Sequence, residues 1–247
     1  MNNLPAKPTV SVCLSPSLLH LYDVKSSIIV IIDVLRATST IAAALYNGAK
    51  SVIPVESVAE CIEMGKQMEV VTAGERDGKI AEGLKYGNSP LQYSQAFIKN
   101  KTLVLTTTNG TKLLHMALTA GARGIITGSF CNLNSVCDYL LRENTHAILA
   151  CAGWKDRVNI EDTLLAGAVC SKLNDKFIMD CDAAKIAVVL YGSAKDNLYE
   201  FMKSQNASHF IRLAKHKLEA DIRYSLSENN ANVLCVYDKG RLIAGKG

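Results

Sequence analysis

The 247-residue chain has little that would direct it to a membrane, an oxidising compartment or a nucleic acid. No apolar run approaches the ~20 residues that a membrane-spanning helix needs. The longest runs, 28–32 and 186–190, have the length of strands. No dense Lys/Arg run is present, and a net charge of +4 is too mild to imply a nucleic acid or an anionic surface as partner. The first residues lack the charged-then-apolar order of an export signal. Eight cysteines are present, but none forms a CxxC pair and no CxxH or HxxxH spacing accompanies them. That spacing argues against a zinc site or a disulfide framework and for reduced, buried thiols. A cytoplasmic protein is the expectation. The GxxxxGK[ST] spacing of a nucleotide-phosphate loop is absent, as is any low-complexity tract.

What is present is a well-mixed globular composition. Hydrophobic residues make up 49% and charged residues 20%, which can support a substantial core. Short β-rich runs alternate with helical segments. Strands are expected at 27–32, 51–55, 70–73, 102–106, 124–127 and 146–151. Helices are expected at 38–46, 57–67, 91–98, 111–118, 135–142 and 161–173. Two more helices, near 196–203 and 207–220, precede a hairpin-like pair at 233–237 and 241–243. This order predicts a layered α/β/α fold with a largely parallel or mixed sheet. The chain reads as one catalytic unit over 1–247, with room for two similar intertwined lobes near 1–122 and 123–247. The composition leaves room for a homo-oligomer.

Candidate chemistry sits where strands give way to helices, because open α/β sheets bind ligands at the carboxyl ends of their strands. Asp33 leaves a buried apolar run and suits a hard cation such as Mg²⁺. Arg36 follows it and can grip an anion through its planar fork. The plainer alternative is that Asp33 caps the next helix, although Thr38 and Ser39 are already good caps. Glu75 and Arg76 lie in a Gly-bracketed charged trio, as ligand or base and as phosphate binder, or simply as a solvated turn. Asn88-Ser89-Pro90 is a strong helix start whose N–H groups could hold an anion.

Thr106-Thr107-Thr108-Asn109-Gly110-Thr111 offers more hydrogen-bonding capacity than a single cap requires. Gly110 there lets the backbone approach a ligand. Glu161 and Asp162 open a helix behind a basic loop that carries Trp154, the sole tryptophan. Adjacent helical residues point about 100° apart, so side-by-side chelation by this pair needs a loop-like geometry. The alternative is a capped helix start, with Asn159 as the cap. His115 and His146 read as structural. His209 and His216, seven apart on one helix face, read as core or surface rather than metal-binding.

Taken together, carboxylates, arginines and hydroxyl-rich loops on successive strand exits suit metal-assisted phosphoryl transfer on a small anionic phosphoester. A haloacid-dehalogenase-type phosphatase is a second reading, with Asp33 as nucleophile, Thr107 as the second-motif hydroxyl and Asp162 as the metal acid. It normally needs a second Asp two residues after the nucleophile, where this chain has Leu35. A non-catalytic anion-binding module is a third reading. It leaves Asp33, Glu75, Glu161 and Asp162 unexplained, since carboxylates repel an anion unless a cation lies between them.

The segments IDVLRATSTIAAAL (32–45), GERDGKI (74–80), GNSP (87–90), TTTNGT (106–111) and NIEDTLLAG (159–167) resemble the 2-phosphosulfolactate phosphatase family, in that family's order. The resemblance spans roughly 30–170 and weakens in the C-terminal third. It implies an α/β hydrolase that uses Mg²⁺ to convert 2-phosphosulfolactate to sulfolactate and phosphate, a step of coenzyme M biosynthesis in methanogens. It further implies that Asp33, with Glu161 or Asp162, holds Mg²⁺. Arg36 and Arg76 would grip the anionic groups, and Asn88, Ser89, Thr108, Asn109, Gly110 and Thr111 would cradle oxyanions. Metal-bound water is the preferred nucleophile, with direct attack by Asp33 as the alternative. A departure falls at 82–86, where a Gly-Phe-Asp-like run is expected. Lys85 in this stretch either alters substrate choice or faces solvent.

Overall fold

The computed structural model describes residues 7–245. One mixed, mostly parallel sheet of eleven strands runs through it, with helices on both faces. The first half supplies β1 (Thr9–Cys13), β2 (Ile28–Ile32), β3 (Ser51–Val55), β4 (Val71–Arg76), β5 (Lys79–Ile80) and β6 (Thr102–Thr106). It also supplies α1 (Ala37–Tyr46), α2 (Val58–Gln67), the short α3 (Gln95–Ile98) and α4 (Gly110–Thr119). Next come β7 (Gly124–Gly128), α5 (Leu133–Glu143), β8 (Ala147–Cys151), α6 (Ile160–Leu173), β9 (Ile178–Met179) and α7 (Asp182–Ala194). The chain closes with α8 (Leu198–Ser204), α9 (Ser208–Lys215), α10 (Glu219–Ser225), β10 (Cys235–Asp238) and β11 (Arg241–Ala244).

The strand order is β5-β4-β6-β3-β11-β10-β7-β2-β8-β1-β9. Strands β4, β6 and β3 form one parallel block, and β7, β2, β8, β1 and β9 form another. The β10–β11 hairpin splices them, antiparallel to both neighbours. The two blocks therefore run in opposite directions. β2, Ile-Ile-Val-Ile-Ile, is buried at every position because helices cover both of its faces.

The helices lie across the splice. α1 leaves β2, but its Ile41, Ala42 and Leu45 join Val52 of β3 and Leu103 and Leu105 of β6 in one cluster. α4 leaves β6, but its Leu113, Leu114 and Ala117 pack with Ile29 and Ile31 of β2 and Ile148 of β8. α1 can sit this deeply because it is apolar or small on all sides, with every residue from Ala37 to Leu45 buried. This exchange brings the exits of β2 and β6 together.

Several elements differ from expectation. Residues 186–190, read as a strand-length run, lie in α7. Ala184, Ala187 and Ala194 are its buried residues, at helical spacing, and this face packs on α6 while Ile186 and Val189 stay exposed. The expected helix at 91–98 breaks into a 3₁₀ turn, Pro90–Gln92, and α3. Buried Tyr93 separates them and donates its hydroxyl to Gly87 O at 2.5 Å. The expected helix at 207–220 divides into α9 and α10 around Lys217, whose φ is 60°. Strand β1 has no counterpart in the sequence reading.

The α6–α7 crossing depends on Gly167. A Cβ there would lie 2.0 Å from Ala187 O and 2.8 Å from Tyr191 Cβ. Because a backbone carbonyl cannot step aside, Gly167→Ala should cost about 3 kcal/mol, a fall of about 6–12 °C in Tm for a chain of this size. An unchanged melting curve would show that these helices do not meet this closely.

Candidate active site

Asp33 stands at the exit of β2 and is 7% exposed. Hydroxyls brace the turn after it, and its carboxyl is also stabilised by the Ala37 N–H. The Asp33 N–H donates to Thr38 Oγ1 at 3.2 Å, and Ser39 Oγ donates to Val34 O at 2.8 Å. At the exit of β6, Gly110 begins α4 directly against Asp33: a Cβ there would lie 3.1 Å from Asp33 Oδ2 and 3.4 Å from Ala37 Cβ. Asn109 occupies the N-cap position of α4 without a side-chain cap hydrogen bond.

Two further carboxylates lie buried behind Asp33 at the start of α6. Asp162 Oδ1 accepts the Val34 N–H at 2.9 Å, and Oδ2 accepts the Gly153 N–H at 3.0 Å. It ties the exits of β2 and β8 together. Glu161 Oε1 lies 2.5 Å from Nδ1 of His209, on α9. The same nitrogen is 3.2 Å from Asn159 Nδ2, so Asn159 turns to the histidine instead of capping α6. His209 Nε2 is buried without a partner, and its ring meets Trp154 edge-on, with centroids 6.1 Å apart.

Burial dominates the electrostatics here. It pushes the Asp33 carboxyl up to about 6, opposed by His209 and reinforced by Glu75 and Glu161. Burial also holds Asp162 well above the usual carboxylate range, with Glu161 and Asp33 adding to the effect.

Asp33 opens onto a cavity of ≈ 60 Å³. Leu35, Arg36, Glu75, Asp77 and Asn88 line one part of it, and Thr107, Thr108 and Asn109 line another. Trp154, Lys155 and Arg212 complete the wall. Asn88 is buried with its Oδ1 unpartnered. Arg36 is not a free anion binder, since it forms a buried ion pair with Asp221 of α10. The second oxygen of Asp221 accepts from Ser89 Oγ at 2.8 Å. Arg76 donates to Glu75 O at 2.7 Å and to Thr106 Oγ1 at 3.1 Å, and does not line the cavity. Glu75 Oε1 accepts the Gly78 N–H and lies 4.0 Å from Arg212 Nη1.

Of the residues proposed from sequence, Asp33, Arg36, Glu75, Asn88, Thr108 and Asn109 line one cavity. Gly110 abuts Asp33, while Thr111 turns inward to Thr107, with the two hydroxyls 3.3 Å apart. Ser89, Arg76, Glu161 and Asp162 stand behind the wall. Lys85 is exposed and does not line the cavity. A larger groove of ≈ 810 Å³ runs beside α4 and shares only Thr107 and Thr108 with the carboxylate cavity. The sequence reading takes His209 as core or surface and passes over Arg212 and Asp221. Nothing but the apolar periodicity of their helices marks them in the sequence.

The donor set suits a hard cation in one respect. Asp33 and Glu75 both line the cavity, and Mg²⁺ is commonly held by one or two carboxylates with the rest of its shell from water and substrate. Among the described residues no three His, Cys, Asp or Glu side chains converge as a ligand set.

A model of the 2-phosphosulpholactate phosphatase family matches residues 13–240, which include every residue of the cavity. The chain belongs to this family. Its relatives include a probable 2-phosphosulfolactate phosphatase of Caldanaerobacter subterraneus subsp. tengcongensis, 38% identical over 86% of this chain and 88% of the relative. Proteins of the same name from Thermotoga maritima and Clostridium perfringens are 40% and 34% identical. They cover 81% and 94% of this chain, and 84% and 95% of their own lengths.

The raised Asp33 pKa has a stability consequence. An acid that ionises less readily when folded costs nothing below its ordinary pKa. The cost grows as pH rises from 3.8 to about 6 and is constant above that. In metal-free protein, Asp33→Asn should therefore be more stable than the parent at pH 8, by on the order of 3 kcal/mol, with only a small fraction of that gain at pH 4. Melting curves at the two pH values check this. An equal gain at both would show that the carboxylate is not strained by burial.

Proposed function

We propose that this chain is a Mg²⁺-dependent phosphatase that hydrolyses 2-phosphosulfolactate, or a closely similar phosphorylated hydroxy acid, to sulfolactate and phosphate. Membership of the family, with relatives named for this activity, makes phosphoric monoester hydrolysis the reaction class. The observation that carries the mechanism is the buried Asp33 carboxylate packed against the uncapped start of α4 at one cavity. The proposal includes a cytoplasmic setting and a route toward coenzyme M. No helix among the described residues is long and apolar enough to cross a membrane.

The roles follow from chemistry. The free N–H groups at the start of α4 and the Thr108 hydroxyl receive phosphate oxygens, as helix starts favour anions. Asn88 orients the ester through its side-chain amide. Mg²⁺, held by Asp33 and Glu75, would neutralise charge on the phosphoryl group and on the oxygen that departs. Water attacks phosphorus as the P–O bond to the sulfolactate carbon skeleton breaks, and the water's proton ends on the departing oxygen. Asp162 and the Arg36–Asp221 pair hold the strand exits in place. Leu35 also lines the cavity, so no acid stands where a haloacid-dehalogenase-type site would need one.

Phosphate release from 2-phosphosulfolactate and a panel of phosphorylated hydroxy acids, each with Mg²⁺ and with EDTA, tests this. The expected result is release with Mg²⁺ alone and a rate roughly 10³-fold lower in Asp33→Asn. Undiminished release in EDTA would remove the metal. No release from any phosphoester would remove the phosphatase.

A further inference from the structure

With Arg36 neutralised by Asp221 and Arg76 turned behind the wall, two cations remain on the cavity surface: Lys155 and Arg212. Neither belongs to the motifs that carry the family resemblance. They come from distant parts of the chain, the loop between β8 and α6 and helix α9, and meet over one side chain. Lys155 Nζ lies 4.7 Å from the Trp154 ring centroid, and the Arg212 guanidinium carbon lies 5.7 Å from it. Trp154 is itself packed edge-on against the ring of His209. The aromatic ring thus fixes both cations at the rim of the site.

Arg212 is poorly satisfied where it stands. Its Nε is buried without a hydrogen-bond partner among the described residues. Glu75 Oε1 is 4.0 Å from its Nη1, beyond hydrogen-bonding distance, and already accepts the Gly78 N–H. A half-buried guanidinium with a spare donor, stacked on an indole at the rim of a cavity, is built to receive an oxyanion.

We propose that Trp154, Lys155 and Arg212 form the subsite that binds the substrate's terminal oxyanion, the charged group that is not transferred. This rests on the phosphatase reading and assigns specificity within it. The phosphoryl group would lie in the cavity beside Asp33 and Thr108. An anionic group about two carbons away would lie under Trp154 and accept from both the Arg212 fork and the Lys155 ammonium. A sulfonate, with three equivalent oxygens, can satisfy both donors at once. The subsite therefore discriminates against phosphoesters that end in a methyl group.

The test uses binding, so that it stands apart from turnover. Sulfolactate, malate, lactate and inorganic phosphate are titrated calorimetrically into the parent, Arg212→Gln and Lys155→Met. The parent is expected to bind sulfolactate at least tenfold more tightly than lactate. Arg212→Gln should weaken sulfolactate at least tenfold and leave phosphate within twofold, and Lys155→Met should do the same to a smaller extent. Malate binding as tightly as sulfolactate would mean that the subsite reads any terminal oxyanion, which supports it in its general form. Equal losses for phosphate and sulfolactate, or no loss for either, in variants that melt like the parent, would overturn the subsite. Hydrolysis of 2-phosphosulfolactate by the same parent sample is scored separately. Absence of turnover with selective sulfolactate binding would sink the phosphatase reading and leave the subsite standing.

Discussion

The structure depends on the approach of two strand exits that the sheet order would otherwise keep apart. β2 and β6 belong to oppositely directed parallel blocks joined by a hairpin, and the pairing of β11 with β3 rests on a single register pair, Leu242 with Val52. Because α1 and α4 each pack across the splice, the beginning of one helix meets the beginning of the other. Gly110 eases this contact, as a Cβ there would press on Asp33 Oδ2 at 3.1 Å. Every polar feature of the cavity is arranged around that meeting point.

Placing a carboxylate there is costly, and the surrounding groups determine how the cost is met. Asp162 is satisfied by two backbone N–H groups and Glu161 by His209, so both brace the loops around Asp33. Arg36 and Asp221 neutralise one another in the interior, and Asp221 also holds Ser89. Removing one partner of such a pair leaves an uncompensated buried charge, so these groups act as one unit. Asp33 is raised by burial as Asp162 is but, unlike Asp162, lines the cavity, which suits a group that must meet a cation.

Much of this was legible in the sequence, for a physical reason. A carboxylate after five buried β-branched residues, and hydroxyls with a glycine after another strand, are local patterns that mark strand exits. What each exit faces is decided by tertiary path. Arg36 follows Asp33 closely, and sequence alone gave no sign that a carboxylate 185 residues away would claim it. His209, Arg212 and Asp221 lie on short helices whose amphipathic pattern reads as packing, and packing is indeed what most of their neighbours do. The apolar run at 186–190 has no element assigned from sequence because a short apolar run fits a strand and a half-buried helix equally well. The break at Lys217 left no proline or glycine as a sign.

Gly110→Ala tests most directly whether the close meeting of the two exits makes the site. The added methyl would press on Asp33 Oδ2 at 3.1 Å, within the site and away from the main clusters. The account predicts that hydrolysis of 2-phosphosulfolactate falls at least 100-fold while Tm moves by no more than a few degrees. Activity equal to that of the parent in a folded Gly110→Ala protein would contradict it.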